Sequence, residues 1–363
     1  MSKQPGDTIK PLIFKPKEEF SGANWNGTED SFTQQFYEQN LSQFWRPEDV
    51  SLQSDLLTWK LLNEQVKKAY SLNLLILTFL DTYQGDIGMP VVSRSMADGL
   101  HQRKAVINWM AAMENAVHAK SYSNIFMTFL STHEIDELFE WGKKNKNLQA
   151  IMNLIVGQYE TLDQMNYLKK YSPEKVNFSE EEFYIAQWKA MVASVFLETW
   201  LFYSGFYYPL YFYGQGKLMQ AGEIINLILR DEAIHGLYIG KISQEIFAKL
   251  PKSKQDELTI WMQELLQKLY KEQEELSESV YDPVDLTHDV KVFVRYNCNK
   301  ALMNLGFEPQ FEHEEVNPVV LNGLNTETKT MDYFSMKGNG YQKMKSVALD
   351  DNDFNFDKNK INK

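Results

Sequence analysis

The chain has 363 residues, and its 49 acidic side chains outnumber 37 basic ones for a formal charge of -12. That balance repels a phosphate backbone and supplies no basic stripe, so no nucleic-acid partner is expected. The opening MSKQPGDTIK lacks the apolar stretch of a secretory signal, and the longest apolar run, residues 74–80, is too short to span a bilayer; a soluble cytoplasmic protein without a membrane partner is expected.

Residues 1–30 mix Lys, Pro, Gly and Asp with no apolar period and read as an extended arm. Apolar residues then recur at three- and four-residue spacing near 60–83, 102–130, 147–158, 183–210, 220–248, 254–278 and 288–304. These stretches exceed ordinary strand length, so the spacing predicts helices. Breakers fall between them, at Gly85 to Pro90, at Ser172-Pro173 and at Pro251. The aromatic-rich composition continues from Phe32 to Phe307 without a linker, which favours one helical domain over 31–310. Residues 311–363 form a tail that turns rich in Lys, Asn and Asp from Asp350 onwards, around Phe354 and Phe356, and is expected to stay flexible until a partner holds it. The single cysteine, Cys298, lies in a helical pattern and reads as a small core residue in a reducing compartment.

Two stretches, ASVFLETWLFYSGFYYPLYFYG (193–214) and GEIINLILRDEAIHGLYIG (222–240), are apolar nearly all round yet contain carboxylates. An ionised group taken out of water costs several kcal/mol or more unless it is paired or bound to a metal, so these acids need partners. Four segments pose the question. Asp81 follows the run LILTFL; Glu114 and His118 lie four apart on one helical face; Glu198 sits inside VFLETWLF; Glu232 and His235 lie three apart in RDEAIHG. Four acids and two imidazoles on four helices form the donor set with which a helical bundle binds two transition metals, and mixed oxygen and nitrogen donors suit manganese or iron. Two other pairs at similar spacing, Asp98/His101 and Asp285/His288, sit in polar, turn-like surroundings and read as solvated surface groups. Tyr122 lies four residues after His118 and stacks one turn along the same face.

The segments LDTYQG, ENAVHAKSY, FLETWLFYSGF, RDEAIHG and NKALMNLGFEP, in this order, resemble the small, radical-generating subunit of class Ib ribonucleotide reductase, and the likeness runs from about Asn24 to Phe356. The resemblance implies an all-α, ferritin-like helical bundle with a di-metal core. Asp81, Glu114 and His118 would bind one ion and Glu198, Glu232 and His235 the other, with bridging carboxylates and two manganese or two iron ions as cofactor. It assigns the stable radical to Tyr122, walled off by Phe202, Phe206 and Ile228, and radical transfer to Trp45, Asp231 and Tyr341. The stretch from Leu349 to Phe356 would dock on the large subunit. A homodimer and a flavodoxin-like activating protein are implied as well. In many members the second acid stands three residues before the histidine, a position held here by Asn115; with Glu114 as the ligand, a local adjustment of the turn is expected.

Two rival readings share the architecture. A di-metal oxidase acting on its own substrate would not need Tyr122 or the tail; a cage-forming storage bundle would be much shorter, and an inert bundle would leave the buried acids without a purpose.

Overall fold

Every regular element among residues 20–324, the part of the chain that the computed structural model describes, is a helix. Tyr341 and the stretch from Leu349 to Phe356 lie outside the described residues. In chain order the α-helices are α1 (Ser31–Ser42), α2 (Leu56–Leu61), α3 (Glu64–Tyr83), α4 (Met89–Ser95), α5 (His101–Met113), α6 (Lys120–Phe129) and α7 (Thr132–Lys144). They continue with α8 (Lys146–Tyr171), α9 (Glu180–Phe196), α10 (Phe202–Gly214), α11 (Met219–Phe247), α12 (Lys252–Tyr281), α13 (Thr287–Asn304) and α14 (Pro318–Gly323). No described helix is long and apolar enough to cross a membrane.

Local chemistry fixes the helix starts. Asp30, Asn63 and Asn145 each accept from a backbone N–H in the first turn, and Ser131 with Glu134 and Ser179 with Glu182 form reciprocal capping boxes. Helices α1, α4, α7, α14 and most of α2 lie outside the segments that the periodicity marks, and for α4 and α7 the reason is identifiable. The α7 sequence THEIDELFEWGKK is mostly polar and, by residue, buries only Gly142, so its few apolar residues are outnumbered by charged ones and the helix escapes the sequence reading. The Gly85 to Pro90 stretch, expected as a connection, is wound: Gln84–Gly88 forms a π-turn that runs directly into α4, where Pro90 sits in the first turn and needs no N–H partner. Gly85 is required there, because a Cβ would lie 2.9 Å from the Ala111 carbonyl oxygen.

The core is a bundle. Helix α9 packs on α8 and α11, α10 packs on α3 and α11, and the segment joining α5 to α6 packs on α3. Helices α3, α5–α6, α9–α10 and α11 thus enclose the interior of a ferritin-like fold, the architecture in which facing helices project donors inwards. Cys298 is fully buried on α13, and burial pushes its thiol far up, which makes it inert. Helix α14 packs against α10 so closely that Gly214 and Gly323 have no room for a Cβ.

Three of the four core segments are wound one residue wider at one place, as π-turns over Gln84–Gly88, Glu114–Ala119 and Leu197–Leu201. Each insertion rotates the succeeding residues about the helix axis and so re-aims side chains. Helix α11 stays regular, but its N-cap residue, Leu218, is left-handed and supplies no side-chain cap. The cap comes from far away in sequence: buried Asp55 accepts the N–H groups of Gln220 and Ala221, both at 2.9 Å. Replacing Asp55 by Ala removes the one oxygen, Oδ2, that accepts both N–H groups and is expected to lower stability by about 1–2 kcal/mol. The check is the urea midpoint, with Asp55→Asn, which retains one acceptor oxygen, falling between wild type and Asp55→Ala.

Candidate metal centre

Asp81 is on the last turn of α3, Glu114 and His118 lie in the Glu114–Ala119 π-turn, Glu198 in the Leu197–Leu201 π-turn, and Glu232 and His235 on α11. All six side chains are fully buried. They converge as two overlapping groups, Asp81, Glu114, His118 and Glu232 in one and Glu114, Glu198, Glu232 and His235 in the other; within each, one donor atom per residue lies within 4.8 Å of all the rest. Glu114 and Glu232 belong to both groups.

The π-turn explains how an acid four residues before the histidine reaches the cluster. Asn115 does not enter it; its amide donates to Asp86 at 2.5 Å. His118 turns Nδ1 inwards, 3.0 Å from Glu232 Oε1, 3.3 Å from Glu114 Oε2 and 3.5 Å from Asp81 Oδ1. His235 likewise turns Nδ1 inwards, 2.7 Å from Glu114 Oε1, 3.3 Å from Glu232 Oε2 and 3.6 Å from Glu198 Oε2. The expected surface pairs stay apart from this centre: His101 meets Ser21 at an exposed position, Asp98 approaches Lys104, and Asp285 occupies a left-handed turn.

Close approach here is not pairing. Both oxygens of Asp81 and of Glu232, Glu114 Oε1, Glu198 Oε2 and both nitrogens of His235 are buried without an aligned hydrogen bond. Burial, and then the charge of Glu114, pushes Asp81 and Glu232 well above the usual carboxylate range. For Glu114 burial is outweighed by His118 and His235, which hold its carboxyl well below that range. Burial opposes charge on both imidazoles, but the surrounding acids prevail and raise them well above the ordinary histidine value. So many inward-facing donors with so few aligned partners fit a pair of divalent cations, whose charge would satisfy the acids together, and the mixed donor set fits manganese or iron.

A second layer leads outwards. His118 Nε2 lies 3.2 Å from Asp231 Oδ2, and the Trp45 indole N–H donates to the same oxygen at 2.8 Å. The rings of Trp45 and His118 are nearly parallel, with centroids 6.3 Å apart. Gln43, which the sequence pattern does not single out, donates to Asp231 Oδ1 at 2.7 Å and so occupies the other oxygen. Its place two residues before Trp45 is the only hint the sequence offers. Gln84 carries no clearer signal, though it stands three residues after Asp81; its amide N–H donates to Glu198 Oε1 at 2.5 Å.

Tyr122, on the first turn of α6, is fully buried and its hydroxyl has no hydrogen-bond partner. Burial, and then the charges of Asp81 and Glu232, push this phenol well up, so it stays protonated. Phe202 and Phe206 on α10 and Ile228 on α11 are fully buried as well.

Comparison with known proteins places this arrangement in a family. The family model described as "Ribonucleotide reductase, small chain" matches residues 22–318. The chain is 57% identical over 341 residues to the ribonucleoside-diphosphate reductase subunit beta of Bacillus subtilis, covering 94% of this chain and 98% of that one. It is 37% identical over 340 residues to the ribonucleoside-diphosphate reductase 2 subunit beta of Escherichia coli, covering 93% and 98%. Among solved structures, dimanganese(II)-NrdF of Streptococcus sanguinis superposes with a TM-score of 0.73 at 39% identity, covering 85% of this chain and all of that one.

The geometry separates Glu114 from its neighbour. Glu114→Ala is expected to bind fewer than two manganese ions per chain, whereas Asn115→Ala retains two; metal analysis after equilibration and desalting checks both.

Proposed function

This chain belongs to the ribonucleotide reductase small-chain family, and from that premise we propose how its residues divide the work of the class Ib small subunit. The family's small subunit generates and stores a tyrosyl radical and passes it to the large subunit, which reduces ribonucleotides to deoxyribonucleotides for DNA synthesis. The observation that carries the assignment to residues is the pair of donor groups sharing Glu114 and Glu232, built into the same dry interior as Tyr122.

Asp81, Glu114 and His118 would hold one ion and Glu198, Glu232 and His235 the other; Glu114 and Glu232, which belong to both groups, could serve either ion. Two manganese or two iron ions, once bound and oxidised by an oxygen-derived oxidant, would supply the one-electron oxidising power that a phenol requires to become a phenoxyl radical. The protein's own residues then set the conditions. Tyr122 must lose both an electron and its phenolic proton, and the charge it feels most strongly is that of Asp81; with one Asp81 oxygen given to an ion, the other would remain to take that proton. Phe202, Phe206 and Ile228 are proposed to wall the resulting radical from water and reductants, since apolar side chains offer it no proton.

Transfer outwards would use the hydrogen-bonded series His118, Asp231, Trp45. Asp231 orients both neighbours through a single oxygen while Gln43 holds the other, so the carboxylate has one available rotation. Tyr341 would carry the radical across to the large subunit, and the stretch from Leu349 to Phe356 would dock there by folding on contact. A homodimer, a flavodoxin-like activating protein for the manganese form, a cytoplasmic location, an arm over residues 1–30 and a flexible tail complete the proposal; their support is the family likeness and the sequence pattern, but the tail is placed after α14 rather than from residue 311, because α14 packs closely on α10.

Two experiments test these assignments. Tyr122→Phe is expected to lose the tyrosyl signal in electron paramagnetic resonance with its metal content unchanged, and a surviving signal would refute the radical assignment. Truncation before Leu349 should leave the radical intact while ribonucleotide reduction with the large subunit falls to background; retained turnover would remove the docking role.

A further inference from the structure

Helix α8 supplies no metal donor, yet it sends one polar side chain towards the centre. The Tyr159 hydroxyl donates to Gln84 Oε1 at 2.6 Å, and Gln84 Nε2 donates to Glu198 Oε1 at 2.5 Å and to Ser194 Oγ at 2.8 Å. Tyr159, Gln84, Ser194 and Glu198 are all fully buried, so water does not stand in for any of these contacts. The polarity of the series is forced. A carboxylate oxygen only accepts, so the Gln84 amide must face Glu198 with its NH2 group; its carbonyl then faces Tyr159, which must donate. Burial, and then the charge of Glu198, push the Tyr159 phenol well up, in keeping with a permanent donor. Space is reserved for the contact as well. A Cβ at Gly88, within the same π-turn as Gln84, would lie 2.8 Å from the Tyr159 ring and closer still to Gln84 Oε1.

The consequence falls on Glu198. Its Oε1 is occupied by Gln84, and its Oε2, which has no hydrogen-bond partner, is the oxygen turned to His235 and the cluster. We propose that Tyr159 is a positioning residue that, by locking the Gln84 amide, holds Glu198 to one-oxygen coordination through Oε2. The inference rests on the metal-binding assignment above and extends it to a residue on a helix outside the donor set. Without the Tyr159 hydroxyl, the Gln84 carbonyl is buried unpaired, the amide is free to turn, and Glu198 is free to present both oxygens or to swing between them.

The test is a titration of manganese(II) alone into metal-free full-length protein, following free ion by electron paramagnetic resonance, for wild type, Tyr159→Phe, Gln84→Met and the double variant. Wild type should bind two ions. In each single variant the weaker-bound ion is expected to lose roughly tenfold in affinity, with the tighter-bound ion changed much less. The double variant should be no weaker than Gln84→Met, because both changes break one series. A crystal structure of the manganese-loaded protein should show Glu198 bound through Oε2 alone in wild type and through both oxygens, or the other one, in Tyr159→Phe. The proposal is overturned if Tyr159→Phe binds both ions within twofold of wild type, or if the losses in the two single variants multiply. Failure of wild type to bind two ions would overturn the metal assignment itself, a distinct result. Should Tyr159→Phe not fold, as judged by circular dichroism, Gln84→Met carries the same comparison, and unchanged affinity there is equally fatal.

Discussion

Charge in a dry interior is the constraint on which the rest of this structure depends. Six ionisable side chains meet with essentially no exposed surface, and their mutual contacts leave oxygens and nitrogens without aligned partners. A purely structural cluster of this kind would be better replaced by apolar side chains of equal volume. Its presence fits a bundle whose helices are built around what the acids hold, and the surrounding features fall into place as means of aiming those acids.

Aim is set by helix winding. A regular helix offers only three- and four-residue repeats on one face, and Glu114 with Asn115 shows how much one residue of register decides. The wider turn at Glu114–Ala119 brings Glu114 and His118 into the centre together and leaves Asn115 to Asp86. The turns at Gln84–Gly88 and Leu197–Leu201 act beside Asp81 and at Glu198, and only the α11 pair, already three residues apart, manages without one. Helix α11 is instead held at its N-terminal end, by the Asp55 carboxylate from the turn that leads into α2.

Behind two of the donors, His118 and Glu198, lie neutral and charged hydrogen-bonding groups that restrict each to one orientation. Asp231 is shared between His118, Trp45 and Gln43; Glu198 is held by Gln84, which Tyr159 holds in turn. In a low-dielectric interior such contacts are strong when satisfied and costly when broken, so they fix geometry more firmly than packing alone. The same logic leaves Tyr122 different from Tyr159: both phenols are buried, but the hydroxyl of Tyr122 has no partner and that of Tyr159 has one.

The amino-acid sequence by itself determined the helical class, because apolar spacing survives any arrangement of the helices. It also marked Asp81, Glu114, His118, Glu198, Glu232 and His235, because an acid inside an apolar run is anomalous wherever the run ends up. Helix α7 and the wound Gly85 to Pro90 stretch were not read: the first has only a few apolar residues among many charged ones, and in the second glycine and proline signal a break that close packing turns into a π-turn. Gln43, Gln84 and Tyr159 were invisible for a related reason. A glutamine or a tyrosine in a helix carries no anomaly of its own, and only tertiary structure, by bringing residues 75 and 114 positions apart within hydrogen-bond reach, decides what each one holds.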